Sequence, residues 1–588
     1  MVSLNLQKMS DRPFFQKNEA EGEQIFCVSR LFTAKLFGNT VFTDIRGIFR
    51  GPFCKRKIMD TVKQPEKENI MGTMPVGKLL FTMAAPMVVS MLVQALYNIY
   101  DSIVVASYSG NGVTALSLAF PVQNLMIAFA TGTGVGINSY LSRALGEKRP
   151  DRVHRTATNG LFVILLTNIA FLLLGLFGCG LYFRYLTDAQ PGSQVYRFGT
   201  DYLQVVTIFS TGLFFQVTFE RLLQSTGKAK LSMLSQGLGA ILNILLDPFF
   251  ILKSGDRIFG IPLPFGLDMG PKGAAIATVI GQFAAAFFGL VANLRYNKEI
   301  DLSFKNFRPE FKIIKRIYAV GIPSIFMAAV GSFLTVALNK ILTIGEEVTY
   351  IAEKGMDKAS AAALAAQRLA GVSIYGVYFK LQSFIFMPIF GMNNGMIPIV
   401  AYNYGKRSKE RILKTVKLAV IAAVVYMLIG FAVFQTLSGT LLKAFYQPDA
   451  EVSAAETVET AETEPDPESA SVFENPSEAV LEYGEPAMRI VSICFLFAGV
   501  CVITISALQA LGKGLPSLLI SLIRQIAVIL PLSYILAINF GLVALFWAFP
   551  VAEFIAMVIS IFLFRNAYIK LIKPLGEKPT ETPRSPTE

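Results

Sequence analysis

Two stretches of the chain decide the fold: "FPVQNLMIAFATGTGVGINSYLSRALGEK" (residues 120–148) and "FKLQSFIFMPIFGMNNGMIPIVAYNYGKR" (residues 379–407). They align without gaps, and chance similarity between apolar helices does not explain shared glutamine and glycine positions. The chain is therefore an internal duplication. The identical positions, all 259 residues apart, are Phe120/Phe379, Gln123/Gln382, Gly132/Gly391, Gly136/Gly395 and Gly146/Gly405.

A second pair of matching segments extends the duplication. "LLQSTGKAKLS" (222–232) matches "ALQALGKGLPS" (507–517) at an offset of 285. The offset grows by 26 because the second copy contains the acidic segment 449–482, which holds eleven Asp or Glu and no Lys or Arg. Earlier in each copy, Pro86 matches Pro323.

The composition indicates a polytopic membrane protein. Of 588 residues, 53% are hydrophobic and 16% are charged, and the mean hydropathy is +0.52. Repeated apolar runs are long enough to cross a hydrocarbon core about 30 Å thick as helices. The predicted spans are 79–105, 113–140, 159–186, 199–224, 231–252, 273–294, 317–343, 369–399, 416–444, 487–511, 515–538 and 541–564.

The fold predicted is therefore all-α, with twelve transmembrane helices in two pseudo-symmetric six-helix bundles around a central cavity. Six is even, so both copies have the same orientation in the membrane, which is the parallel-repeat plan of secondary transporters. The predicted first lobe is 71–300 and the second is 301–570, with 449–482 as an exposed, largely disordered acidic loop.

Basic residues predict the orientation. They cluster after spans 2, 4, 6 and 8, and Arg221 is counted with the group after span 4, whereas none lies between spans 1 and 2 or in residues 445–486. By the positive-inside rule, both termini and the tail 571–588 are cytoplasmic, and the expected location is the cell membrane. The net charge of +12 then belongs to the inner membrane face, and we expect no nucleic-acid partner.

Residues 1–70 form a basic extension without the apolar core of a signal peptide. Two interpretations stay open for it: a disordered tail, or a start of translation at Met59 or Met71.

The first predicted span points to a functional site, because its apolar run from Leu79 contains one charged residue, Asp101. A charge at mid-membrane costs roughly 2.5–3.5 kcal/mol on insertion scales. Asp101 is thus expected to titrate or to bind a cation.

Several motifs together resemble the multidrug and toxic compound extrusion (MATE) transporters, especially the bacterial MepA-type branch. The resemblance covers about residues 71–570. It implies export of cationic or amphipathic compounds, driven by entry of H⁺ or Na⁺. The segments that carry it are "GKLLFTMAAPMVVSMLVQALYNIYDSIVV", "ALGEKRPDRVHRTA", "LLQSTGKAKLSM", "ILNILLDPFFI" and "GPKGAAIATVIGQ".

The resemblance also implies a cation-coupling site in the first lobe. Some members use an Asp of the first helix, an Asn and Asp of the fifth and a Thr of the sixth. The matching residues are Asp101, Asn243, Asp247 and Thr278. The second copy lacks this set, because Leu338 and Leu532 stand at the positions of the two aspartates.

The residue types fit that chemistry. Asn243 and Asp247 are four apart and share a helix face. If that face meets Asp101, burial and like charge favour protonation of at least one carboxylate, and the two titrate jointly. The alternative, Na⁺ bound by hard oxygen ligands that include Asn243 and Thr278, stays open, as does a purely structural role.

Prolines and further polar residues within the spans also have predicted roles. Pro86 and Pro248 can bend their helices as hinges. Arg524 and Glu553 either pair with each other or line the cavity. Four glutamines lie within the spans, and they either line the substrate passage or form hydrogen bonds between helices. They are Gln94, Gln123, Gln382 and Gln509.

The function predicted is a secondary-active multidrug exporter, with H⁺ or Na⁺ as coupling ion and no cofactor. Its expected partners are membrane lipids and small amphipathic or cationic substrates, and a monomer is expected. The alternative is a flippase for lipid-linked oligosaccharide or polysaccharide precursors, from the related superfamily. An enzyme or a primary pump is not expected, because no HExxH, GxSxG or GxxxxGK[ST] motif occurs.

Overall fold

A computed structural model describes residues 68–187, 189–258, 261–305, 307–445 and 476–576. These residues are helical except for short connections and one small antiparallel hairpin, β1 (Arg257–Ile258) with β2 (Ile261–Pro262). The predictions for 1–67, most of the acidic segment (449–475) and the end of the tail (577–588) lie outside the described residues. Residues 476–482, predicted as part of the acidic loop, instead begin a helix.

The first half of the chain begins with a one-turn helix, α1, which is followed by six spans. Proline occupies the first position of two of the helices, where its missing N–H costs nothing. The elements are α1 (Ile70–Thr73), α2 (Val76–Tyr108), α3 (Gly110–Gly146), α4 (Pro150–Leu173), a π-helical turn (Leu174–Gly178), α5 (Cys179–Leu186), α6 (Gln194–Ile208), α7 (Thr211–Ser225), α8 (Ala229–Ile251) and α9 (Pro271–Tyr296).

The second half repeats this order with one addition, the helix α11 between its first two spans. The elements are α10 (Phe311–Lys354), α11 (Lys358–Arg368), α12 (Ala370–Gly405), α13 (Lys409–Phe445), α14 (Pro476–Ser492), α15 (Phe495–Ala510), α16 (Gly514–Leu522), a π-helical turn (Ile523–Ile529), α17 (Leu530–Leu545), α18 (Ala548–Ala567), a second π-helical turn (Tyr568–Ile572) and a 3₁₀ turn (Lys573–Gly576).

Within the described residues, ten helices are long and apolar enough to cross a membrane, and two bent pairs complete the set of twelve. The bent pairs, α6 with α7 and α14 with α15, each turn by 47°. The bends fall near residues 209 and 494, which are equivalent at the offset of 285. The prediction of an all-α protein with twelve spans in two six-helix lobes is confirmed.

Several helices extend beyond the predicted spans. Span 10 was predicted to begin at residue 487, but its helix α14 begins at Pro476. Span 7 was predicted to end at residue 343, but α10 continues to Lys354. The continuation contains Glu346, which is fully buried. Its carboxylate accepts hydrogen bonds from the backbone N–H groups of Ala370 (3.2 Å) and Gly371 (3.0 Å) and from the Tyr350 hydroxyl (2.7 Å). Because the start of α12 supplies two of these donors and α10 the third, a charged residue that is typical of loops is accommodated inside the protein.

The two lobes exchange the first halves of their first spans. Leu79 and Met83 of α2 belong to a hydrophobic core made mainly of second-lobe residues. Ile313 and Ile317 of α10 belong to the core of the first lobe. All four are buried. Each lobe therefore completes the apolar core of the other at the end that carries the basic loops, called the basic face below.

The duplicated glycines make this exchange possible. A Cβ on Gly136 would lie 2.3 Å from the carbonyl oxygen of Ile317, and one on Gly395 would lie 2.7 Å from the Ala84 backbone. Gly146 and Gly405 approach the backbones of Tyr402 and Arg143 in the same way, at 2.0 and 2.2 Å. All of these contacts join the two lobes and lie in the half of the bundle next to the basic face.

Candidate cation-coupling site

Asn243 lies at the centre of the candidate site. Its Nδ2 donates to Oδ1 of Asp247, one turn further along α8, at 3.0 Å, and is 3.3 Å from Oγ1 of Thr278 on α9. The two helices approach closely because Gly239 and Gly281 face each other one turn away, where a Cβ on Gly281 would lie 2.6 Å from the Gly239 carbonyl. The structure therefore brings these three predicted residues together.

Asp101 approaches the same place from α2. The carboxyl groups of Asp101 and Asp247 are near enough for their charges to interact. Neither forms a salt bridge with any residue that the structure describes. Two acids in an apolar interior without a counter-cation repel each other when both are ionised.

Three oxygen atoms of this group are buried and have no hydrogen-bond donor within the described part of the chain. They are Oδ1 of Asp101, Oδ2 of Asp247 and Oδ1 of Asn243. Leaving a buried acceptor unsatisfied costs about 1–3 kcal/mol, and more when it is charged. Oxygen acceptors of this kind suit a proton or a hard cation such as Na⁺.

Tyrosines and one further acid surround the carboxylates. Tyr97 lies one turn before Asp101 on α2, in the neighbourhood of Asp101, Asp247 and Glu220. The Tyr202 hydroxyl accepts a hydrogen bond from Nε2 of Gln123 at 3.1 Å, and Tyr202 lies in the neighbourhood of Asp101. Gln123 thus reaches the site indirectly.

Glu220 and Tyr97 were missed by the sequence reasoning. Glu220 is a carboxylate inside predicted span 4, which is the same signal that singled out Asp101. It is buried and accepts a hydrogen bond from Nε2 of Gln216 at 3.1 Å. Its neighbour Arg221, counted among the loop cations, lies inside α7, is buried, and donates across the lobe interface to Oδ1 of Asn394 at 2.8 Å.

Two of the other glutamines bind a neighbouring helix. Gln94 accepts a hydrogen bond at its Oε1 from Gln236 of α8 at 2.8 Å, and Gln509 donates to Oγ of Ser324 at 3.2 Å. Gln382 is half-buried on α12. The contacts of Gln94 and Gln509 are hydrogen bonds between helices, which is the second of the two roles that the sequence left open for the glutamines.

Arg524 and Glu553 pair with each other in the second lobe. Nη1 of Arg524 donates to both carboxylate oxygens of Glu553 at 3.2 Å. Arg524 lies in the π-helical turn before α17, and Glu553 is buried on α18. The carboxylate of the second lobe therefore has the counter-cation that the first-lobe pair lacks.

The predicted hinges lie inside continuous helices. Pro86 is buried in the first half of α2, next to the contact with α12, and Pro248 follows Asp247 in α8. Both helices continue through their prolines, as membrane helices do when neighbouring groups satisfy the freed carbonyl.

Twelve spans, two duplicated lobes and a buried acidic site define a polytopic membrane carrier. Comparison with known proteins agrees. The MatE family model matches residues 86–249 and 348–459, one segment in each lobe. The chain is thus similar to the MATE family of transporters, as its motifs predicted, and members of this family are transporters rather than enzymes.

Individual relatives match over most of the chain. "Multidrug export protein MepA" of Staphylococcus haemolyticus (strain JCSC1435) is 23% identical over 488 residues, covering 83% of this chain and 92% of the relative. The protein of the same name from Staphylococcus aureus (strain MSSA476) is 24% identical over 507 residues, covering 84% and 95%. A solved structure described as the outward-facing conformation of a multidrug resistance MATE family transporter of the MOP superfamily superposes with a TM-score of 0.70 at 21% identity, covering 87% and 100%.

Proposed function

We propose that this protein is a secondary-active multidrug exporter, driven by entry of H⁺ or Na⁺, with the coupling ion bound by Asp101, Asn243, Asp247 and Thr278. Relatives named as multidrug export proteins support the activity. The observation that carries the coupling site is the group of three buried oxygens without donors, in which two carboxylates interact without a counter-cation.

Loading the site changes the balance of forces between α2 and α8. With both acids ionised, the repulsion between Asp101 and Asp247 favours separating the two helices. A proton on one of them, or Na⁺ between them, removes that repulsion and satisfies the free oxygens. Ion binding drives a conformational change only to the extent that the two states bind the ion with different affinity, so the distance between α2 and α8 is the variable that must differ.

Export requires the lobes to open alternately to each side of the membrane, around substrate bound between them. The contacts of Gly136, Gly146, Gly395 and Gly405 close the basic face in this structure. With the basic loops on the cytoplasmic side, this is the state that faces outward. From that state the coupling ion enters the first lobe, and substrate leaves.

The test is dye efflux from liposomes that contain the purified protein, with an imposed pH or Na⁺ gradient. We expect Asp101→Asn and Asp247→Asn each to lower the gradient-driven rate at least tenfold, because each removes a charge-assisted contact worth about 1.5–3 kcal/mol. The matched control is Asp201→Asn, which removes an exposed carboxylate from the same lobe.

Undiminished gradient-driven efflux in both site variants contradicts the coupling site. Transfer of a fluorescent lipid-linked sugar between leaflets, without export of a cationic dye, contradicts the export function and supports the flippase alternative instead.

A further inference from the structure

Residues 68–74, called the clasp below, lie across the basic face and contact both lobes. Asn69 starts the short helix α1, since its Oδ1 accepts a hydrogen bond from the backbone N–H of Met71 at 2.8 Å. This capping bond fixes the orientation of the Asn69 side chain, and its amide nitrogen is left to bind elsewhere.

The clasp binds the first lobe through two side chains, those of Asn69 and Ile70. Nδ2 of Asn69 donates to both carboxylate oxygens of Glu299, at 2.8 and 2.7 Å, and to the carbonyl of Thr226 at 3.1 Å. Beside it, Ile70 packs over Gly227, whose φ of +86° and missing Cβ leave room for it. Glu299 is exposed to solvent, so this attachment is a weak one.

The clasp binds the second lobe more extensively. Nη2 of Arg411 donates to the carbonyls of Met71 (2.9 Å) and Met74 (2.8 Å), and Nδ2 of Asn403 donates to the Met71 carbonyl (3.1 Å). Nζ of Lys406 donates to the Gly72 carbonyl at 3.2 Å and pairs with Glu68.

Burial also favours the second lobe. The Met71 side chain is fully buried in the hydrophobic core formed mainly by second-lobe residues. A Cβ on Gly72 would lie 3.0 Å from the Tyr402 ring, so the clasp backbone lies directly against α12. The first half of α2, which follows the clasp, packs into the same core.

Resting on the proposed function, in which the basic face must open during each cycle, we infer that the clasp holds the basic face closed and acts as its gate. We infer further that the contacts of Asn69 are the ones that break when this gate opens. Opening moves Glu299 and Thr226 away from Arg411 and Asn403, and the clasp has to release one side. The hydrogen bonds of Asn69 and the contact of Ile70 give way before two cations, an amide and a buried methionine do. The clasp therefore stays with the second lobe.

The sharpest test variant is Asn69→Asp. The substituted carboxylate keeps the capping acceptor for the Met71 N–H but places an oxygen where the amide now donates to Glu299. Like charges then face each other, and the gate should open. Adding Glu299→Gln restores a donor opposite the new carboxylate and should close the gate again. Should Asn69→Asp fold poorly, Asn69→Ser keeps a capping oxygen and removes only the amide donor.

The measurement is the distance between spin labels on Asp151→Cys and Glu410→Cys, in nanodiscs without substrate or gradient. Asp151 and Glu410 are equivalent exposed positions, 259 residues apart, at the basic ends of the two lobes. Cys27 and Cys54 are replaced by serine, while Cys179, Cys494 and Cys501 are buried and can stay. The matched control is Lys414→Ala, which removes an exposed cation one turn after Arg411.

We expect the long-distance population to rise at least threefold in Asn69→Asp, to return to the wild-type level with Glu299→Gln added, and to stay unchanged in Lys414→Ala. A distribution in Asn69→Asp and Asn69→Ser equal to that of the wild type overturns the clasp, and so does an effect that Glu299→Gln fails to reverse. Because no transport is measured, failure of the proposed exporter function shows separately, as absent dye efflux in a protein whose gate still responds.

Discussion

The two lobes share one architecture but have opposite electrostatic interiors. In the first lobe, Asp101 and Asp247 interact without a salt bridge among the described residues, and three buried oxygens have no donor. In the second lobe, Leu338 and Leu532 stand at the equivalent positions, and the buried acid Glu553 is held by Arg524. Duplication thus preserved the packing glycines, while the interacting pair of aspartates is present in the first copy and is replaced by two leucines in the second.

The difference separates two uses of a buried carboxylate. An acid that is paired with arginine has fixed charge and fixed geometry, and contributes to structure. Two acids that repel each other have a free energy that depends on what binds them, which is the property that coupling to an ion requires. Four predictions test this division, and they follow in order of expected effect.

The largest effect is expected from combining Asp101→Asn with Asp247→Asn. If the two acids act as one site, each single variant already loses gradient-driven efflux at least tenfold, and the double variant loses no more than the worse of the two. The measurement is initial efflux rate in liposomes under a fixed gradient. Losses that multiply in the double variant would mean two independent sites, and would break the comparison.

The next effect concerns stability and has opposite signs in the two lobes. Glu553→Gln leaves the partly buried Arg524 guanidinium without its counter-charge, which costs up to roughly 3–5 kcal/mol. Asp247→Asn removes charge repulsion and should raise the melting temperature in detergent. Replacing both partners, Arg524→Met with Glu553→Leu, should recover most of the stability. A drop in melting temperature for Asp247→Asn as large as that for Glu553→Gln contradicts the division.

A smaller effect is expected where the lobes are alike. Gly136→Ala and Gly395→Ala each place a Cβ against the backbone of the other lobe, at 2.3 and 2.7 Å. Overpacking of this kind costs roughly 1–3 kcal/mol. Both should open the basic face to a similar extent, as seen by the Asp151–Glu410 label distance. The control is Gly376→Ala on α12, where a Cβ meets no atom within 4 Å; an equal effect there would exclude the packing explanation.

The smallest effect is expected from Thr278→Val, which preserves shape but removes the hydroxyl next to Asn243. Losing one neutral hydrogen bond of about 0.5–1.5 kcal/mol should raise the half-saturating ion concentration by roughly 2- to 10-fold and leave the maximal efflux rate nearly unchanged. Thr436→Val is the control, since that exposed hydroxyl donates only within its own helix, to Ala432. A lost maximal rate in Thr278→Val would indicate a role beyond ion affinity.

The sequence predicted the twelve spans and the two lobes from repetition and hydropathy, and its motifs predicted the resemblance to a family. It also named the residues that meet around Asn243. It failed where a charge finds a partner far along the chain. Glu346 appears as the end of a span but is satisfied by α12, and Arg221 appears as a loop cation but reaches Asn394. The distance between equivalent residues of the two copies is 237 for Pro86/Pro323 in the first span and 259 in the next span. This increase of 22 already indicates an insertion in the second copy, which the end of α10 and α11 occupy.

The exchange of first half-spans has a consequence for how the molecule is made. Leu79 and Met83 have their apolar partners in sequence that is synthesised some 300 residues later, and Ile317 has its partners far upstream. Neither six-helix half can finish its interior alone. The amino-terminal half must remain in the bilayer with an uncovered apolar surface until the carboxy-terminal half has been inserted. The two halves therefore complete their folding together, and a gene divided between them should yield protein only when both pieces are expressed together.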